Sequence, residues 1–114
     1  MEDAQTLRNK IADAGRQANL KRQEAEQHLK NAATHSSSGQ PDQAASDQAS
    51  ADTANREAMD LEKQAADLQK RLTDTEAKAA ELDRQEQDLR SKLDQVQQEK
   101  NNILGKSGGF GPLI

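Results

Sequence analysis

Residues 61–103, LEKQAADLQKRLTDTEAKAAELDRQEQDLRSKLDQVQQEKNNI, contain the pattern that decides the fold of this chain. With Ala65 as heptad position a, mostly apolar residues recur at alternating spacings of four and three through the whole stretch. A heptad repeat sustained over this length indicates a left-handed coiled-coil seam rather than the face of a globular helix. The predicted oligomer interface consists of Leu61, Ala65, Leu68, Leu72, Ala79, Leu82, Glu86, Leu89, Leu93, Val96, Lys100 and Ile103.

A second and weaker heptad stripe runs through residues 3–33 and consists mainly of alanine. Small side chains suit close packing against another helix, and we expect an antiparallel hairpin with the alanines of residues 42–58. The residues predicted to pack the hairpin are Leu7, Ile11, Ala14, Ala18 and Ala25.

Breaker residues set the predicted boundaries between these segments. Residues 34–41, THSSSGQP, interrupt the first helix because serine competes for backbone hydrogen bonds and Pro41 cannot continue a preceding helix. The sequence therefore predicts an Ala-rich helix over 1–33, a turn over 34–41, a long coiled-coil helix over 42–104 and a Gly-rich tail over 105–114. The polar composition of residues 42–55 leaves a linker open as the alternative for that part.

The predicted fold class is therefore all-α: an elongated helical hairpin plus a long coiled coil, oligomeric and without a globular core. A parallel dimer or trimer is weakly favoured by the pairs between g and e positions. The attractive pairs are Arg71 with Glu76 and Lys78 with Asp83, and the repulsive pair is Glu57 with Glu62. Glu86 and Lys100 occupy core a positions, where polar residues are known to set register or strand number.

The last ten residues combine flexible glycines with the single aromatic residue of the chain. We expect Phe110, Leu113 and Ile114 to dock into a pocket on a neighbouring subunit or on another protein, with a frayed tail as the alternative.

Most other function classes are disfavoured by composition. The chain has no cysteine, and its two histidines, His28 and His35, lack companion ligands, so neither a metal nor a cofactor is expected. Catalysis on a small-molecule substrate is not expected either, since no nucleophile motif or phosphate loop occurs. A net charge of −4 without a basic stripe or aromatic platform argues against nucleic acid, and the lack of an aromatic, Lys/Arg-rich face argues against a membrane partner.

These observations predict a non-enzymatic structural or assembly protein. It would be a homo-oligomeric coiled-coil fibre, stalk or adaptor in a larger complex, of virion, phage-tail or secretion type. The alternative is a cytosolic adaptor or chaperone that pairs with a partner helix in a heteromeric coiled coil. No signal peptide is recognisable, so we expect a cytoplasmic product as synthesised, with incorporation into a particle or secretion assembly left open.

Overall fold

The computed structural model describes residues 2–105, which form two α-helices: α1 (Ala4–Ser37) and α2 (Pro41–Leu104). These helices contain 34 and 64 residues, and the described part of the chain has no β-strand. The all-α prediction is confirmed, and the two helices form a hairpin. The chain divides into two compact units, Met1–Thr75 and Glu76–Ile114. The first unit holds α1 and the paired part of α2, and the second holds the remainder of α2.

Helix α1 begins with a side-chain cap. The Asp3 carboxylate accepts a 2.7 Å hydrogen bond from the backbone N–H of Thr6, and the Asp3 carbonyl accepts one from Leu7. The side-chain bond satisfies one of the N–H groups that the first turn of any helix leaves without an intrahelical partner, and the Leu7 bond is the first of the regular helical series. The Thr6 N–H also holds the pKa of Asp3 below its usual value, because it stabilises the charged carboxylate.

The turn between the helices is made by Gly39 and Pro41 rather than by the serine run. Helix α1 continues to Ser37 instead of ending at residue 33, and the Thr34 hydroxyl donates to the Lys30 carbonyl within the helix. The chain reverses at Gly39, whose φ of 73° is a left-handed conformation that glycine adopts at little cost. Pro41 is the first residue of α2, a position where its missing N–H costs nothing.

Residues 42–55 are helical throughout, so the structure has no linker in this part of the chain. Their alanines provide the reason, since Ala51 and Ala54 are buried in the hairpin with Ala25 of α1. Burial of small side chains brings the two helices close together. Tertiary contact therefore supports a segment whose serines and aspartates are weak helix formers.

Candidate interaction surface

The hairpin interface is narrow and is built mostly from methyl groups. All buried residues in the range 2–105 are apolar, and all belong to the first unit. Most of them are alanines, so two leucines supply the only large side chains in this core. The buried residues are Leu7, Ala14, Ala18, Ala25, Ala51, Ala54, Ala58 and Leu72.

The beginning of the predicted coiled-coil seam lies inside this hairpin. Leu72 is only 6% exposed, and Leu61, Ala65 and Leu68 are half-buried, as is Ile11 of α1. Residues from both helices, including Ala14, Leu61 and Leu68, line a common groove. This part of the seam packs against α1, so the portion of the predicted oligomer interface open to another chain starts at Ala79.

Polar pairs flank the alanine stripe and tie the two helices together. Lys21 lies 2.8 Å from Glu57, which raises the pKa of Lys21 because the carboxylate stabilises the charged ammonium group. Arg22 donates to Asn55 at 3.1 Å and to Glu62 at 2.7 Å. Sequence reasoning missed these pairs, because the heptad pattern identifies the apolar stripe and gives no rule for which flanking charges of an antiparallel partner will meet.

Glu2 closes the open end of the hairpin. Its carboxylate binds Lys10 and lies 3.8 Å from Arg71 of α2. The hydrogen bond from Lys10 is the main reason that the pKa of Glu2 lies below its usual value. A surface pocket beside Glu2 is lined by Leu7, Arg71 and Thr75, among others, which places the start of α1 level with Thr75.

Beyond Thr75 the same heptad frame carries large apolar side chains that face solvent. We call them the exposed stripe: Leu82, Leu89, Leu93, Val96 and Ile103. Leu89 is 64% exposed and Val96 59%, whereas Leu72 on the same seam is 6% exposed under α1. Single exposed leucines are ordinary on protein surfaces, but a row of them at heptad spacing is the pattern typical of a coiled-coil seam.

Two charged residues occupy the a positions of the same heptad frame within the exposed stripe. Glu86 and Lys100 are both exposed, and Ala79 at the start of this segment is exposed as well. The Glu86 carboxylate lies 3.5 Å from Arg90 on the same helix. A helix that covers this stripe must therefore accommodate both charges.

The two histidines belong to the first unit and are not part of the exposed stripe. His28 is half-buried, and the His35 ring nitrogen Nδ1 lies 2.6 Å from an Asp47 carboxylate oxygen across the turn. Within residues 2–105, His, Asp and Glu side chains form no group of three or more that could hold a metal ion. The contact of His35 with Asp47 links the two helices near Gly39, and it was not foreseen because residues 34–41 were expected to form a turn.

The predicted docking residues of the tail, Phe110, Leu113 and Ile114, lie outside the described residues. For the part that is described, neither helix combines the length and the apolar character required to cross a membrane.

Known proteins provide no family assignment for this chain. No protein-family model, no curated protein and no solved structure gives a significant match. A function must therefore be argued from the hairpin and the exposed stripe themselves.

Proposed function

We propose that this protein is a non-enzymatic structural component that self-associates through the exposed stripe to form a coiled-coil stalk, fibre or adaptor in a larger assembly. A particle of virion or phage-tail type, or a secretion assembly, is the setting we favour. One observation carries the proposal. A single heptad seam is covered by α1 as far as Leu72 and is uncovered from Ala79 to Ile103.

The physical argument concerns the apolar surface that remains in water. Complete burial of one leucine or valine side chain contributes about 1.5–3 kcal/mol, and the exposed stripe has five large apolar residues. The core of the hairpin consists mostly of alanines, each of which buries little apolar surface. Association through the stripe therefore adds a large share of the apolar burial available to the chain.

Heteromeric pairing is the second candidate, and the charges in the stripe favour it. Glu86 and Lys100 both occupy core positions. A different partner helix with a basic residue facing Glu86 and an acidic residue facing Lys100 would satisfy both charges. In that case the protein would be an adaptor or chaperone for a partner helix rather than a self-assembling component.

The test is the solution mass of the purified chain, measured by light scattering over a concentration series, together with helicity from circular dichroism. Self-association predicts a mass that is a multiple of 12.5 kDa at high concentration, with dissociation on dilution. A chain that stays at 12.5 kDa throughout would eliminate self-assembly and favour the adaptor.

A matched pair of variants assigns any association to the stripe. Leu93→Glu places a charge in the seam, and Ser91→Glu places the same charge at heptad position f, away from it. We expect Leu93→Glu to abolish the oligomer and Ser91→Glu to leave it unchanged. Equal effects of both variants would show that the stripe is not the interface.

We also propose that the C-terminal tail docks onto another protein or a neighbouring subunit through Phe110, Leu113 and Ile114. The composition of the tail supports this role, because a glycine-rich sequence carries three large apolar residues that can act as anchors. Deletion of residues 108–114 should leave the coiled-coil mass intact and abolish capture of the partner in a pull-down. Unchanged capture would remove the tail from the proposal.

A further inference from the structure

We propose that the exposed stripe pairs with a second copy of this chain in the antiparallel direction, forming a two-helix coiled coil over residues 75–100. This inference rests on the proposed function, because it names the partner and its direction for the same stripe. Three observations support it: the contacts already made inside the hairpin, the positions of the charged core residues and the pattern of flanking charges.

The hairpin takes up one attractive and one repulsive parallel pair, so the uncovered seam keeps a single type of attractive parallel contact. Arg71, from one of the two attractive parallel pairs, contacts Glu2 of α1. Both members of the repulsive parallel pair, Glu57 and Glu62, also contact α1. Within the uncovered seam, the pair of Lys78 with Asp83 is the attractive parallel contact that remains.

The core favours the antiparallel direction. A parallel coil places each a residue beside its own copy, so that two Glu86 carboxylates and two Lys100 ammonium groups meet in the seam. Reversal of one helix places a residues opposite d residues, so identical charges no longer share a layer: the two Lys100 residues move to opposite ends of the paired region, and the two Glu86 residues move into adjacent layers. In the register that we propose, Leu82 lies opposite Leu93 of the second copy, and Glu86 lies opposite Leu89.

The flanking charges select the same register. Reversal pairs e with e and g with g across the seam. At the e positions Asp83 then meets Arg90 of the second copy, and at the g positions Lys78 meets Glu99, while the other e and g pairs contain glutamine and are neutral. Lys92 of the second copy flanks the layer that contains Glu86 and can neutralise it. Twofold symmetry makes each of these attractive contacts occur twice.

The hairpin also limits the length of the paired region. Leu72 is buried under α1, so a second copy cannot occupy that position. Half-buried Thr75 is therefore the last residue available, and it lies opposite Lys100 of the second copy. Residues 75–100 of one chain thus pair with residues 100–75 of the other, and Ile103 lies beyond the paired region.

Disulfide trapping gives a direct test, because the chain has no cysteine of its own. The full-length Leu82→Cys and Leu93→Cys variants are oxidised in a glutathione buffer, separately and as an equal mixture. Tryptic peptides identify the linked positions by mass spectrometry, and light scattering gives the mass of each sample before oxidation. Residues 82 and 93 of one helix are about 16 Å apart along its axis, whereas a disulfide joins Cα atoms no more than about 7 Å apart.

The antiparallel coil predicts a disulfide between positions 82 and 93 in the mixture and little disulfide in either variant alone. Efficient 82–82 and 93–93 disulfides in the separate samples, from a chain that is dimeric by mass, would overturn the antiparallel direction while leaving the proposed function standing. A monomeric mass for the wild-type chain would overturn both.

Charge variants provide an independent check on the register. Arg90→Glu places two repulsive contacts with Asp83 in the antiparallel dimer and should weaken its Kd about tenfold. Arg84→Glu is the matched control. Arg84 and Arg90 each pair with one carboxylate on their own helix, but Arg84 lies at heptad position f, away from the seam. The double variant Asp83→Lys with Arg90→Glu should recover most of the affinity. A parallel dimer predicts the reverse, with Arg90→Glu nearly neutral and the double variant weaker.

Discussion

Replacement of a leucine by alanine should change thermal stability in different ways on the two sides of Thr75. Leu72 is 6% exposed within the hairpin, and Leu89 is 64% exposed on the stripe, although both occupy core positions of one heptad frame. Leu→Ala substitutions in closely packed cores cost about 2.7–5 kcal/mol. Two helices can close over the lost volume more easily than a globular core can, so we expect Leu72→Ala to lower the free energy of unfolding of the hairpin by about 2–3 kcal/mol.

A loss of this size lowers the melting temperature of a unit of this length by about 10–20 °C. The assay is thermal unfolding followed by circular dichroism at several protein concentrations. Leu72→Ala should reduce stability at every concentration, because the contact lies within one chain. Leu89→Ala should leave the dilute sample almost unchanged and remove the stabilisation that appears at high concentration. If both variants show the same concentration dependence, the division of the seam at Thr75 is incorrect.

The remaining predictions concern the turn, the cap and the pH dependence. Gly15→Ala should stabilise α1 by about 0.5–1 kcal/mol, since nothing lies within 4 Å of the added Cβ. Gly39→Ala should destabilise the hairpin by about 1 kcal/mol, because the φ of Gly39 is +73°. Chemical denaturation of the two variants measures the sign of both changes. Asp3→Ala should lower the melting temperature, because the Thr6 N–H loses its acceptor. The folded-state pKa values of Asp3 and Glu2 are lowered, so both carboxylates contribute stability above their unfolded-state pKa. This stability is lost as the pH falls through the folded-state pKa, so the melting temperature should decrease below about pH 4. An Asp3→Asn variant, which keeps a capping side chain without a titrating carboxylate, should show a smaller acid shift, and an equal shift would exclude Asp3 as a source.

Much of this architecture could be read from the sequence because heptad spacing reports directly on which side chains share a helix face. The end of α1 is hard to locate from the sequence, because Thr34 and the serines that follow belong to residue types that favour caps and turns. Their hydroxyl groups can also bond within the helix, as Thr34 does with Lys30. The turn lies at Gly39, because glycine adopts the required positive φ at little cost.

The division of the seam was harder to predict than the seam itself. Leu72 and Leu89 have the same local pattern around them, and only the length and direction of α1 determine that the first is covered. The contacts of Lys21 with Glu57 and of His35 with Asp47 depend on the same chain geometry. Heptad periodicity describes one helix at a time, so it does not identify contacts that require two.

The alanine stripe has a consequence for exchange between molecules. The interface of methyl groups between Ala25, Ala51 and Ala54 accepts the α1 of any copy of this chain equally well, because every copy presents the same side chains. The connection through Gly39 keeps the helix of the same chain nearby at an effective concentration on the order of millimolar. Side-chain contacts hold α1 in place, and tethering determines that the bound α1 is the one of the same chain. Dense packing of many copies would remove that advantage and allow α1 helices to be swapped between neighbours.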